Sequence, residues 1–537
     1  MNTSAPLSER LPQLPIVFDA TSSTLEDEAK ALVTASKSVW DNIVASVTAE
    51  EATFDNTIRP IIDDENRSLA KSKLLSFYAS ISPSEKLREA SRKATILLYA
   101  GDTERYSRAD VFARVAVVVR NIGDNPTLDD QSKYYAQKLH QLMCMKGCNI
   151  PDPDSRAAFR QALERAEELN SQCRENIAQD ISSIWLTPEE LEGLPQDLID
   201  ELPEGEGENK VQLQKKHQTG WALVYAHSGA TRRRCYYAQQ NRLPQNVPLF
   251  RELVLARDTM ARLSGFPNYF AYITSRKMAQ KPETVTSILE NIKQRVLPAA
   301  LAGASELLDI KKEQQVHHDE SDTQLFFWDE DYYNRIRTEQ QEVHVPQTGP
   351  SEYFELYSTF DAFRWLFGHL FDTRLQPISS TEQAVLDSGP LIWHEDVMMF
   401  AAWDTRGSVD AFLGYVYVDL FPREGKGVEG ARDIQYGYEK EDGSRFHTSV
   451  SLTMNYNMPT PSNPTLLSFT DAQDLFYELC RVYQSLLARV KHASLQEIDM
   501  ALVDAPRIML EQFLSEPAVL YKICQHYSYL SQTHNAA

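Results

Sequence analysis

Cysteine is scarce in this chain. Its 537 residues include six, Cys144, Cys148, Cys173, Cys235, Cys480 and Cys524, and no two form a CxxC pair. That excludes a disulfide framework and a zinc ribbon, and reduced thiols in the cytoplasm are the expected state. Basic residues are in deficit too: Lys and Arg number 54 against 76 Asp and Glu, a formal net charge of −22. Phosphate binding rests on a basic face, so no nucleic-acid partner is expected, and docking on an anionic membrane is disfavoured. No uninterrupted apolar run approaches the roughly 18 residues of a membrane span. The start, Met1 to Pro15, has neither an apolar h-region nor an Arg-rich amphipathic pattern, so no secretory signal or mitochondrial presequence is read there. Internal repeats and low-complexity tracts are missing as well. With 42% hydrophobic residues, the profile is a globular cytoplasmic chain, long enough for about three or four domain-sized units or one large helical body.

Helical periodicity dominates the first 190 residues. Ser23-Thr24-Leu25-Glu26 matches a capping box, followed by apolar residues at Leu32, Val33, Val39, Trp40, Ile43 and Val44. Thr187-Pro188-Glu189-Glu190 reads as another helix start, with Pro at the first helical position. Glu201 to Lys210, acidic and Gly-bearing, reads as a loop. Helical pattern returns from Pro248 to about Met278 and from Pro282 to Leu308. Lys311 to Thr323 reads as a solvated helix end and loop, and its His317-His318-Asp319-Glu320 as solvated rather than metal-ligating, since adjacent helical residues share no face. β-branched and aromatic residues cluster late, at Val397–Trp403, Phe412–Phe421 and Phe446–Tyr456. The expected fold class is mostly α with a small β-sheet near residue 420.

The most informative segment runs from Thr470 to Glu511. Thr470-Asp471-Ala472-Gln473 matches a capping box, predicting a helix from about Asp471. Leu475, Phe476, Leu479, Val482, Tyr483, Leu486, Leu487 and Val490 then fall on one arc, with Cys480 at its margin, where it reads as packing rather than nucleophile. Tyr477, Arg481, Gln484 and Ala488 occupy the opposite arc, with Glu478 at its edge. Taken alone, this is an amphipathic helix with a solvated face and a local Glu478–Arg481 pair.

A series of landmarks runs along the chain: LTPEELEGLP from Leu186, LARDTMARLSGF from Leu255, RKMAQ from Arg276, WDEDYY from Trp328 and WHEDV from Trp393. GYVYVDLFPREGK from Gly414, DGSR from Asp442, MPTPSNPTLL from Met458 and DAPRIMLE from Asp504 continue it. In these motifs and their order the chain resembles the thimet oligopeptidase, neurolysin and oligopeptidase A family of zinc peptidases. The resemblance implies a two-lobed, mostly helical body with a deep central channel, and zinc held by HEFGH on the helix after PTLL. Here that helix reads Tyr477-Glu478-Leu479-Cys480-Arg481. Only Glu478, at the general-base position, is kept. Tyr477 and Arg481 stand at the two imidazole positions, and a neutral phenol and a guanidinium are unsuited to zinc. Asp504 matches the third ligand, one methylene shorter than the family glutamate. Glu429 and Phe469 match two further family histidines, and no HExxH occurs elsewhere.

The resemblance also implies a segmentation into a flexible segment 1–20, a helical lobe 21–200, a middle helical region 201–390 and a shortened catalytic region 391–537. The expected function is a zinc-free pseudopeptidase with no cofactor, binding an oligopeptide or another elongated ligand, with Tyr477, Arg481, Asp504 and Glu429 as binding residues and Glu478 as a vestigial base. One alternative is a metal-free acid–base enzyme built on Glu478, Asp504, Tyr477, Arg481 and Cys480. The other is the family's zinc oligopeptidase activity. Arg481 is expected to bridge Glu478 and Asp504 in place of the metal. The family's final helical segment is missing by this comparison, so Leu514, Val519, Leu520, Ile523 and Tyr529 are expected to be exposed and to favour self-association or a partner.

Overall fold

Long helices carry most of the chain, and one small mixed sheet completes the main core. The computed structural model describes residues 11–532 except 125, 201, 204–210, 215–217, 316–323, 342–348, 386–388, 428–429, 461–462 and 497–499. Contacts divide the chain into two units, Met1–Cys148 with Gln347–Ala537, and Asn149–Pro346. The sequence reading placed its boundaries after 20, 200 and 390 instead. The first unit joins distant segments because N-terminal helices bury their apolar faces on the late sheet, a pairing that local periodicity does not encode.

That sheet has five strands in the spatial order Thr373–Pro377, Met398–Asp404, Ala411–Asp419, Thr448–Thr453, Gly430–Gln435. All neighbours pair antiparallel except Ala411–Asp419 with Thr448–Thr453, which is parallel. The central strand is buried on both faces and sorts its side chains by the period of two. Val416 and Val418 join the helices Leu356–Phe371 and Phe469–Leu487. Tyr415 and Tyr417 join the helices Ser22–Ser46, Arg59–Ile81 and Glu85–Tyr106. Each fully buried Leu or Phe in these layers contributes about 1.5–3 kcal/mol relative to exposure. The three expected strands are present. Thr373–Pro377 and Gly430–Gln435 are additional, their apolar pattern interrupted by Arg374, Gln376, Arg432 and Asp433.

Several local expectations need correction. Residues 11–20, expected within a flexible segment 1–20, are packed: Leu11, Ile16 and Phe18 are buried, and Gln13 exchanges hydrogen bonds with the His447 backbone at 3.0 and 2.7 Å. The first helix is capped by Thr21 with Thr24, not by Ser23 with Glu26. Ser468, not Thr470, caps the helix Phe469–Leu487, with Asp471 at N3. The cause is tertiary. Residues 465–467 are held extended by backbone bonds to 354–356, so the helix starts as soon as that bridge ends. Of the five C-terminal apolar residues, Leu514 and Ile523 are in the core, Val519 and Leu520 are half-buried, and Tyr529 is exposed.

The second unit pairs the helix Pro153–Ala178 with Asn246–Leu263 around Phe159, Leu169, Leu253 and Met260. A two-stranded hairpin, Ser183–Leu186 with Val211–Gln214, was not expected from sequence. At Thr187 the reciprocal capping bonds with Glu190 form at 3.0 and 3.4 Å, yet only turns follow. Gly193 ends them in the left-handed region, where a Cβ would meet Tyr225 O at 2.3 Å. The helix Pro282–Gln315 covers the expected one and runs further. Its Lys311 is not solvated: it is buried, 2.8 Å from Oδ2 of Asp329, whose Oδ1 pairs with buried Arg232 at 2.7 Å. His317 to Glu320, and most of Glu201 to Lys210, lie outside the described residues. Among the described residues no helix is long and apolar enough to cross a membrane.

Candidate functional site

The helix Phe469–Leu487 presents two faces, as its sequence requires. Leu475, Phe476, Leu479, Val482, Tyr483 and Leu486 are buried, with Phe476 edge-on to Phe363 at 5.2 Å and Tyr483 stacked on Phe367 at 4.7 Å. Val490 lies beyond the helix end. Cys480 is buried with this face, and burial pushes its thiol up to about 12, so it packs and does not attack. Phe469 stands at the first helical position beside Phe354, with ring centroids 5.9 Å apart.

On the other face Glu478 is an anchor. Its Oε2 accepts the Ala431 backbone N–H at 2.6 Å and Arg481 at 3.2 Å. The residue before Ala431 has to be glycine: Gly430 has φ +115°, and a Cβ there would come within 3.1 Å of the same carboxylate. Helix and edge strand are thereby tied at the residue that the resemblance matches to a general base. The Arg481 side chain is 43% exposed, and its carboxylate partner among the described residues is Glu478. Asp504 pairs instead with Arg507 at 3.5 Å, so the expected bridge from Arg481 to both acids is not formed. The geometric reason is that Arg507, one helical turn beyond Asp504, reaches that acid first. Tyr477 lies under Arg507, whose guanidinium is 4.7 Å from its ring centre. Burial and a hydrogen bond to the Glu511 carboxylate push its phenol up to about 12. Glu429 lies outside the described residues.

Glu478, Arg481 and Asp504 do share one open cavity of about 590 Å³, together with Arg432, Asp433 and Arg507. Asp433 accepts the Gln496 side-chain amide at 3.0 Å, while burial pushes its carboxyl above the ordinary range. Arg432 donates to the Ser80 hydroxyl at 3.3 Å. Burial, and then the like charge of Arg481, hold its guanidinium below its ordinary value. Sequence reasoning missed these three residues. Arg507 had a readable signal, the i, i+3 spacing from Asp504, whereas Arg432 and Asp433 sit on an edge strand that had none.

The residues at the positions where the resemblance puts zinc ligands do not fit that ion. Zinc takes three or four thiolate, imidazole or carboxylate donors. Here a protonated phenol, a guanidinium and one carboxylate already paired with Arg507 occupy the positions. Among the described residues no group of three or more His, Cys, Asp or Glu side chains is placed to hold a metal ion.

The comparison with known proteins settles the ancestry. A family model described as Peptidase family M3 matches residues 222–536. The chain belongs to peptidase family M3. Oligopeptidase PhomG of Diaporthe leptostromiformis is 36% identical over 532 residues, covering 97% of this chain and 71% of that protein. Oligopeptidase PhomG' of the same organism is 37% identical over 523 residues, but this chain spans only 40% of its length. Saccharolysin of Saccharomyces cerevisiae is 23% identical over 539 residues, covering 98% of this chain and 74% of that protein. In this M3 chain the GYVYVDLFPREGK run is a buried ionic knot. Asp419 takes a bidentate pair from Arg423 at 2.8 and 2.6 Å, Lys426 Nζ at 2.8 Å and Trp393 Nε1 at 2.8 Å. Burial opposes its charge, yet Arg423 and Lys426 hold the carboxyl below its ordinary value. Arg423 and Lys426 thus hold the turn after the central strand in place.

Proposed function

We propose that this M3-family chain is a zinc-free pseudopeptidase that binds an oligopeptide or another elongated ligand at the cavity beside Glu478. One observation carries the reading: the three positions of the family's metal ligands hold a phenol fixed by Arg507 and Glu511, an exposed guanidinium, and a carboxylate paired with Arg507. Hydrolysis by this family depends on a metal-activated water, and the carboxylate that would deprotonate it is engaged by the Ala431 amide instead. Composition supports a cytoplasmic setting, as few cysteines without a CxxC spacing suit a reducing compartment.

A metal-free acid–base enzyme is the second reading, favoured by Asp433, whose raised carboxyl lines the same cavity as Glu478. A quenched-fluorescent oligopeptide library separates the readings when binding and cleavage are followed with and without a chelator. The pseudopeptidase binds without cleaving. Cleavage indifferent to the chelator supports the acid–base enzyme, and cleavage abolished by it restores zinc oligopeptidase activity.

A further inference from the structure

The cavity beside Glu478 is cationic, in a chain whose net charge is −22. Among the described residues its lining carries four cations, Lys73, Arg432, Arg481 and Arg507, against the carboxylates of Asp433, Glu478 and Asp504. Those acids are committed. Glu478 holds the Ala431 amide and Arg481, Asp504 holds Arg507, and Asp433 holds the Gln496 amide. Arg507 is fixed over the Tyr477 ring and Lys73 over the Tyr436 ring, 4.9 Å from its centre, so both contribute field from set positions.

Arg432 and Arg481 are differently placed. Arg432 bonds a neutral hydroxyl and has no carboxylate partner among the described residues. Among the described residues Arg481 pairs directly with Glu478 through an exposed contact, and its charge also acts on Asp433. The two positive charges also act on each other. Like charges on opposing elements of one cavity are unfavourable until an anion enters between them, and a planar guanidinium matches a carboxylate bidentately.

We propose that Arg432 and Arg481 form a receptor for a ligand carboxylate, supplied by the free C-terminus or an acidic side chain of the bound oligopeptide. This rests on the peptide-binding reading above and names the group that the site recognises.

The test is fluorescence anisotropy of the full chain with N-terminally labelled oligopeptides. Each is made as the free acid, as the C-terminal amide, with Asp and Glu changed to Asn and Gln, and with both changes. The expected result is that the free acid binds about tenfold more tightly than the fully neutralised peptide, an advantage that shrinks as salt is raised. Arg432→Gln and Arg481→Gln each reduce that advantage to about threefold or less, while the neutralised peptide binds as before. The Arg481 side chain is exposed, so its variant folds normally even if the Arg432 variant does not. Loss of the advantage on amidation alone assigns the C-terminus, and loss on side-chain neutralisation alone assigns an acidic residue. Equal binding of charged and neutral peptides by the parent chain overturns the receptor but leaves peptide binding standing. An advantage that survives Arg481→Gln also overturns it, and no binding of any peptide overturns both.

Discussion

Glu478→Ala separates an anchoring carboxylate from a catalytic one. In this structure the substitution removes the acceptor of the Ala431 N–H, a 2.6 Å bond to a residue only 4% exposed. A buried donor left without an acceptor costs about 1–3 kcal/mol. The lost pair with Arg481 adds only about 0.2–0.5 kcal/mol, because it is an i, i+3 contact with a largely exposed guanidinium. The expected loss is therefore about 1–3 kcal/mol. Glu478→Gln keeps an oxygen in reach of Ala431 and should cost about 1 kcal/mol or less. Urea unfolding followed by circular dichroism measures both. The helix and the strand belong to the same unit, so if the units unfold separately, the shift belongs to that unit's transition. An alanine variant within about 0.5 kcal/mol of the parent would refute the anchor, since that is the range of an ordinary surface substitution. A glutamine variant as unstable as the alanine one would also count against it.

Two further outcomes concern the same unit. Lys426 Nζ donates to the Asp419 carboxylate at 2.8 Å and to the Phe421 carbonyl at 2.7 Å, with both charged side chains fully buried. Lys426→Met should cost about 3–5 kcal/mol by urea unfolding, and adding Asp419→Asn should recover none of it, because Arg423 would then lose its carboxylate partner as well. His492 is 5% exposed, and burial holds its imidazole down at about 4, below its ordinary 6.5. The unfolded chain takes that proton first as pH falls, so stability is full above pH 6.5 and declines toward pH 4. His492→Gln, which can keep a bond to the Ser132 hydroxyl, should flatten this part of a melting-temperature profile, and an unchanged slope would exclude His492 as its source.

What the sequence revealed followed from periodicity, and what it hid depended on partners distant in the chain. The apolar arc from Leu475 to Leu486 was legible because a helix repeats every 3.6 residues whatever it packs against. Its first residue was not, since the Thr470 match is overridden by the bridge to residues 354–356, after which Ser468 caps the helix. Glu478 could be placed at the family's base position by its neighbours, but its bond to Ala431 joins residues 47 apart. Lys311 reads as solvated in a charge run until Asp329 folds back onto it. Arg432 shows no signal in the chain because its importance lies in lining one cavity with Arg481, 49 residues further on.

The zinc content of the purified chain tests the central claim most directly. The protein is prepared without chelator, incubated with excess zinc, freed of unbound metal by gel filtration and analysed by inductively coupled plasma mass spectrometry. The residues at positions 477, 481 and 504 predict well under one zinc per chain, with no change on Asp504→Ala. About one zinc per chain, lost on Asp504→Ala, would contradict the account and return this chain to the zinc peptidases.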